Sequence, residues 1–330
     1  MKISIALATY NGASYLQAQL DSFLAQTRLP DELVITDDCS TDETLEIIQH
    51  FAATAPFPVI WSQNERNLGY SGNFNAALMQ TTGDLIFLSD QDDVWFPHKI
   101  ERIMEIVAAD THSLVFINDA ALTDAKLNTV GLTKLGQIHS AGLKESSFVM
   151  GCCAAVKRDL LNLCLPVPSD YPAHDGWIVR IAEGMGRKRI VKEVLQYYRR
   201  HEHNESQFIV NRTSRVTRLH VVLLDLKQGM SRNLGTSNPS HRHTNSPRFP
   251  QAVMLEWVRS AAMDTYNFYA YDLKRFSEHL EVDVTVRKKR NAIRQLAFPR
   301  RLVQALLFWR SGGYVTFSGI KTMIRDIILF

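Results

Sequence analysis

None of the four cysteines, Cys39, Cys152, Cys153 and Cys164, stands in a Cys-x-x-Cys spacing. Neither a zinc site nor a disulfide framework is expected. No stretch approaches about 18 consecutive apolar residues, which argues against a membrane-spanning helix. The start, Met1-Lys2-Ile3-Ser4-Ile5, runs straight into a strand-like segment and has none of the regions of a signal peptide. A reducing, cytoplasmic setting is therefore expected. The chain also lacks a Gly-x-Gly-x-x-Gly turn after a strand and a phosphate-binding Gly-rich loop ending in Lys-Ser/Thr. Both absences disfavour a nicotinamide dehydrogenase or a P-loop enzyme. A nucleotidyltransferase would want a Gly-rich, Arg-containing loop after its first strand, and Ala8-Thr9-Tyr10-Asn11-Gly12 does not supply one.

Hydrophobic content of 45% with 22% charged residues is ordinary for a globular protein. The net charge of +3 hides an asymmetry. Residues 211 to 330 carry 20 Lys and Arg against 8 Asp and Glu, whereas residues 1 to 210 carry 17 against 26. An acidic domain over residues 1 to 210, joined to a basic extension over 211 to 330, implies two different tasks.

Apolar runs bounded by turn residues predict strands at 3–8, 32–36, 59–61, 85–88, 114–117 and 149–156, with a final strand pair at 189–191 and 194–199. Helical spacing predicts helices at 14–27, opened by Ser14 as N-cap, and at 40–51, where Ser40 and Glu43 fit a capping box. Further helices are predicted at 73–80, 97–109 and 174–182. Residues 118–147 read as a loop-rich cover. Beyond 211, residues 213–230 and 251–280 look helical, with a polar loop over 231–250 between them. Strands alternating with helices imply a parallel, doubly wound α/β sheet.

Ligands of such sheets bind at the carboxyl ends of the strands. Here those ends carry Thr9-Tyr10-Asn11, Asp37-Asp38 and Ser89-Asp90-Gln91-Asp92-Asp93. The last of these places three carboxylates within four positions. Like charges that close require a cation, a proton or a nearby base, so the cluster is a candidate metal site.

In these motifs the chain resembles the glycosyltransferase family 2 enzymes, which have the GT-A fold. The resemblance is carried by Ala8-Thr9-Tyr10-Asn11-Gly12, Asp37-Asp38-Cys39-Ser40-Thr41-Asp42, Asn67-Leu68-Gly69, Ser89-Asp90-Gln91-Asp92-Asp93-Val94-Trp95, His174-Asp175-Gly176-Trp177 and Tyr198-Arg199-Arg200-His201. They occur in the family's order over residues 1 to about 206. Cys39 departs from the Gly or Asn usual there. The Asp-Gln-Asp-Asp motif looks like the bacterial surface-polysaccharide branch, which includes rhamnosyltransferases.

The resemblance implies an inverting, metal-dependent glycosyltransferase that uses a UDP- or dTDP-sugar and a glycan or lipid-linked acceptor. Asp90 and Asp92 would match the DxD motif, with Asp92 and His201 on Mn²⁺ or Mg²⁺. Asp90 would reach the ion or the ribose. Asp38 would accept from the pyrimidine ring N–H. Thr9, Tyr10, Asn11, Asp37, Asn67, Gly69 and Gln91 would join it in the donor pocket. Asp175 would be the general base. Trp177, Asp93 and Arg199 would lie toward substrate, although Trp177 could equally be core and Asp93 a helix cap. His203 is the alternative to His201.

Residues 287–301 carry seven Lys and Arg and no acid. With the apolar run after them, they suggest peripheral contact with an anionic membrane through 287–309, on its inner face. The C-terminal helices could also pair two chains. No nucleic-acid-binding pattern is present. The remaining alternatives are a sugar-phosphate nucleotidyltransferase and a non-catalytic nucleotide-sugar-binding protein.

Overall fold

The strands form where apolar runs are covered on both faces. In β1 (Ile3–Thr9), β2 (Glu32–Asp37) and β4 (Leu85–Asp90) nearly every residue is buried, the pattern of a sheet with helices on each side. The computed structural model describes residues 1–202, 204, 209–221, 251–263, 268–315 and 320–328. They divide into two units, Met1–Thr217 and Arg218–Phe330.

In the first unit β3 (Val59–Gln63) completes a parallel set in the order β3-β2-β1-β4. The intervening helices are α1 (Ala13–Leu24), α2 (Thr44–Thr54) and α3 (Gly69–Gln80). Leu16, Leu20, Phe23, Ile48 and Phe51 from α1 and α2 meet Ile3, Ile5, Leu7, Leu33 and Ile35 in one core.

Beyond β4 the sheet turns mixed. It continues β4-β8-β6-β9-β5, and β8 (Ala154–Lys157) runs antiparallel to both β4 and β6 (Val115–Thr123). The strand predicted at 149–156 is thus mostly a different element. Gly151–Cys153 forms a 3₁₀ turn that delivers β8 into the sheet from the opposite end. β9 (Lys188–Arg199) is one strand rather than a pair, with register shifts against β6 near Asn118 and Asp119. The two-residue β5 (Val94–Trp95) pairs antiparallel with Gln196 and Tyr197 of β9.

The predicted cover at 118–147 contains regular structure. β6 extends to Thr123, β7 (Thr129–Thr133) pairs with it, and α5 (Lys134–Ser140) is capped by the Thr133 hydroxyl. Asp124 closes the β6–β7 turn by accepting the Lys126 and Asn128 amides. The segments are too short and polar to show a period. Helices α4 (Lys99–Ala109), α6 (Arg158–Cys164) and α7 (His174–Gly184) complete the unit.

Two predicted caps do not form. α1 begins at Ala13 behind Gly12, not at Ser14. α2 begins at Thr44, and the Ser40 hydroxyl and amide both go to the Asp37 carboxylate. The buried carboxylate is the stronger acceptor and outcompetes the helix end.

The second unit contains α8 (Gln251–Met263), α9 (Ala270–Arg294), α10 (Phe298–Arg310) and α11 (Ile320–Ile328). The helix expected over 251–280 is instead two: α8 ends at Met263, and α9 starts at Ala270 and runs into the basic stretch as far as Arg294. Residues 218–221 are helical. The rest of the 213–230 prediction and the loop at 231–250 lie outside the described residues. Here α8 and α9 bury Met254, Leu255, Val258, Leu273, Phe276 and Leu280, and one small core cluster holds Ile293, Ala305, Phe308, Tyr314, Met323 and Ile327. Beside it, fully buried Asp326 accepts from Arg290 at 2.7 Å and from Arg294. Asp326→Ala strands two guanidinium groups in the interior. It is expected to cost about 3–5 kcal/mol, measured by urea unfolding. A loss below about 1 kcal/mol would mean that water already screens the pair.

Candidate functional site

Strand register brings three polar clusters to one edge. Thr9 lies opposite Asp37, and Ala8 lies opposite Asp90. The first two clusters build a loop frame. Asp37 is fully buried and accepts from the Thr9 hydroxyl at 3.0 Å, Gln63 Nε2 at 3.1 Å and the Ser40 amide at 2.8 Å. Asn11, at φ +46°, accepts the Thr41 amide at 2.8 Å. The Gln91 side chain is bound twice to the Tyr10 backbone, each time at 2.9 Å. A Cβ on Gly12 would come within 2.1 Å of Gln91 Oε1, so a side chain there would displace the Gln91 amide from the Tyr10 backbone. Thr9, Asp37 and Gln91 therefore hold the frame, and their polar groups are taken. The Tyr10 ring is left exposed.

Asp38 points the other way. Its Oδ1 accepts Asn64 Nδ2 and the Leu68 amide, both at 2.8 Å. Asn67 donates to the Asp38 carbonyl at 3.2 Å and accepts the amide of Gly69, which sits at φ +72°. Asp38 Oδ2 makes no hydrogen bond among the described residues, leaving one acceptor open on a nearly buried residue.

At the end of β4 the acids separate by environment. Burial, then the charges of Asp92 and Asp175, push the Asp90 carboxyl up to about 7. Asp92 Oδ2 accepts from His201 Nε2 at 2.8 Å and Asn204 Nδ2 at 2.7 Å. Asp93 is fully buried and joins β5 to β9, accepting Gln196 Nε2 at 2.8 Å and the Arg199 amide at 3.2 Å. Burial and the charges of Asp92 and Asp90 push its carboxyl well up. Behind the acids lies buried Lys99, 3.9 Å from the Trp95 ring centre, donating to Gln196 Oε1 at 2.5 Å. Burial lowers its ammonium to about 8.

Asp175 sits in the first turn of α7, accepting the Gly151 amide at 3.2 Å and the Gly176 amide at 2.6 Å. A Cβ on Gly151 would lie 3.2 Å from Asp175 Cβ and 3.0 Å from His174 Nε2, so the 3₁₀ turn packs tightly under the carboxylate. His174 stacks on Phe74 at 4.0 Å, and neither ring nitrogen has a hydrogen-bond partner among the described residues. Burial pushes its imidazole down to about 4. The unfolded chain takes up a proton below about 6.5 that the folded chain refuses. Stability is therefore full above that pH and falls as pH drops toward 4, by about 3 kcal/mol. Urea unfolding at pH 7 and pH 4 should show this loss in the native protein and not in His174→Gln. An equal loss in both would assign it elsewhere.

Glycosyl transferase family 2 is the family whose model matches the chain, over residues 4–163. An uncharacterized glycosyltransferase of Nostoc is 32% identical over 226 residues, covering 65% of this chain and 69% of that protein. The chain belongs to glycosyltransferase family 2. It spans 59% or less of the next curated relatives it matches. Among solved structures, Staphylococcus aureus TarS 1-349 in complex with UDP superposes with a TM-score of 0.51 at 18% identity, covering 86% of this chain and 92% of that one. The mannosyltransferase PcManGT of Pyrobaculum calidifontis, in complex with GDP-Man and Mn²⁺, gives a TM-score of 0.50 at 16% identity over 99% and 85%. The fold is thus GT-A-like, a mixed sheet flanked by helices and followed by C-terminal helices.

Within this family 2 chain, three residues expected toward substrate are not there. Trp177 is fully buried, donates its indole N–H to the Cys164 carbonyl at 2.9 Å and packs edge-on to Tyr171. No ring face is left for a sugar. Asp93 neither caps a helix nor reaches solvent. Arg199 is buried and holds the Asp92 carbonyl through Nε at 2.8 Å and the Ala125 carbonyl through Nη1 at 3.1 Å. It positions Asp92. His201 is brought to the site, stacked on Tyr15 at 4.4 Å, and His203 lies outside the described residues. Tyr15, Lys99, Gly151, Gln196 and Asn204 belong to the site and are new to it. Of these only Asn204 had a signal, its place three residues after His201. A cleft of about 700 Å³ opens beside His201, lined by Tyr15, Asp124, Arg200, Asn211 and Arg212 among others.

One cluster of possible ligand atoms lies among the described residues. Asp90, Asp93 and Cys152 offer ligand atoms within 4.8 Å of one another. However, both Asp93 oxygens are already bonded, and the contact with Cys153 together with burial pushes the Cys152 thiol well up. A protonated thiol is a poor ligand for Mn²⁺ or Mg²⁺. Asp92 and His201 lie outside that group and are bonded to each other.

Proposed function

We propose that this chain is an inverting, metal-dependent hexosyltransferase. It moves a sugar from a UDP- or dTDP-sugar to a glycan or lipid-linked acceptor of a bacterial surface polysaccharide. The observation that carries the reading is the placement of Asp175 near enough to Asp90 to raise it, with both Asp175 oxygens fixed by backbone amides. That holds one carboxylate beside the place where the donor diphosphate would lie.

Asp38 Oδ2 accepts the N3–H of uracil or thymine, which cytosine lacks. The exposed Tyr10 ring covers the base, while Asn11, Asn67 and Gly69 shape the pocket wall. Asp90, Asp92 and His201 would hold Mn²⁺ or Mg²⁺, which when bound neutralises charge on the leaving nucleoside diphosphate. Asp175 takes the proton of the acceptor hydroxyl as it attacks the anomeric carbon from the face opposite the leaving group. TarS seen with UDP and PcManGT seen with GDP-Man and Mn²⁺ support a nucleotide donor and a metal. The Asp-Gln-Asp-Asp motif adds dTDP-rhamnose to the donors worth testing.

A thermal-shift panel of UDP-, dTDP- and GDP-sugars with and without Mn²⁺ tests this reading. One uracil or thymine donor should raise Tm by several degrees, and only with metal. No stabilisation by any donor would contradict it.

A further inference from the structure

Helix α10 turns its apolar side outward. Phe298, Leu302, Val303, Leu306, Leu307 and Trp309 are all exposed, from 37% for Leu302 to 59% for Phe298, while Ala305 and Phe308 face the small core. At 3.6 residues per turn the exposed six fall on about half of the helix circumference. Isolated exposed apolar residues are normal, but a continuous face of this size marks an interaction surface.

The charge around it has one sign. No Asp or Glu occurs between Asp283 and Asp326. Asp326 is consumed by Arg290 and Arg294, and Asp283 pairs with Arg287. Lys288, Lys289, Arg300, Arg301 and Arg310 are left with no carboxylate partner among the described residues. On α10 itself, Arg300 borders the apolar arc on one edge and Arg310 closes its end, while Arg301 turns back to donate to the Leu296 and Ile327 carbonyls. The helix has 13 residues, and no described helix is long and apolar enough to cross a membrane.

We propose that the outer face of α10 binds the surface of an anionic membrane, lying in the interfacial plane. Its apolar side chains enter the acyl boundary, and its arginines meet lipid phosphates. A convex apolar face bordered by Arg300 and Arg310 suits a headgroup layer rather than an acidic peptide, which would need a groove. The proposal does not depend on the donor or the chemistry at Asp175.

The test uses the whole chain and lipid vesicles. Co-sedimentation with phosphatidylcholine vesicles containing about 30% phosphatidylglycerol should exceed that with phosphatidylcholine alone by about tenfold. It should also weaken as NaCl rises to about 0.5 M. Leu302→Glu/Leu306→Glu should cut binding to the anionic vesicles at least tenfold, with Tm unchanged because both side chains are exposed. Arg300→Gln/Arg310→Gln should reduce the preference for anionic lipid. Wild-type protein that fails to sediment with anionic vesicles would overturn the proposal, as would binding untouched by the Leu302/Leu306 change. So would a dimer in light scattering that the same change dissolves, since a second copy would then cover the face.

Discussion

Asp175→Asn is expected to lower the rate of sugar transfer by roughly 10²–10⁴-fold, while nucleoside-diphosphate affinity stays within about twofold. The asparagine oxygen can keep one backbone amide, but it cannot take a proton at neutral pH. The structure makes this test clean, because the Gly151 and Gly176 amides fix the side chain without help from the donor pocket. Release of nucleoside diphosphate gives the rate, and calorimetry gives the affinity. A variant that turns over at the wild-type rate would remove Asp175 from the chemistry. A wild-type protein that binds donor and never turns over would mark a binding protein instead.

Asp92→Ala is expected to lower metal-dependent donor affinity by about 100-fold, the scale set when a ligand or its close support is lost. The change deletes a carboxylate and also releases His201 and Asn204, both bonded to Asp92 Oδ2. Asp93→Ala, one residue away, should do something different. It orphans Gln196 Nε2 and the Arg199 amide in the interior, at a cost of about 1–3 kcal/mol of stability, and leaves the response to metal in place. The pair separates a ligand from a brace. Equal loss of metal-dependent binding in both variants, with stability intact, would return Asp93 to the metal, as its proximity to Asp90 and Cys152 allows.

The division within this cluster was not legible in the sequence. Leu85 to Leu88 read as a buried strand because the run is unbroken, and the acids after it must then stand at the sheet edge. Which acid faces outward depends on β5 and β9, a pairing of two residues that no period reveals. The same holds for Asp37 and Asp38. Asp37 ends β2 and Asp38 follows it, but one is saturated by Thr9, Ser40 and Gln63 while the other keeps an oxygen open. Trp177 next to a catalytic candidate invites a sugar-stacking role, and only its burial against Tyr171 and Cys164 dismisses it. Lys99 and Gln196 carry no signal at all, because a buried lysine beneath three acids is defined by contacts nearly 100 residues apart. The C-terminal basic run was visible as composition. Its consequence depends on which cations Asp283 and Asp326 neutralise.

The most direct measurement of the central claim is calorimetric titration of UDP into the whole chain, with Mn²⁺ and then with EDTA. The account predicts a single site in Mn²⁺ that weakens at least tenfold in EDTA and is lost in Asp92→Ala. Binding of UDP that is indifferent both to metal and to Asp92 would contradict it.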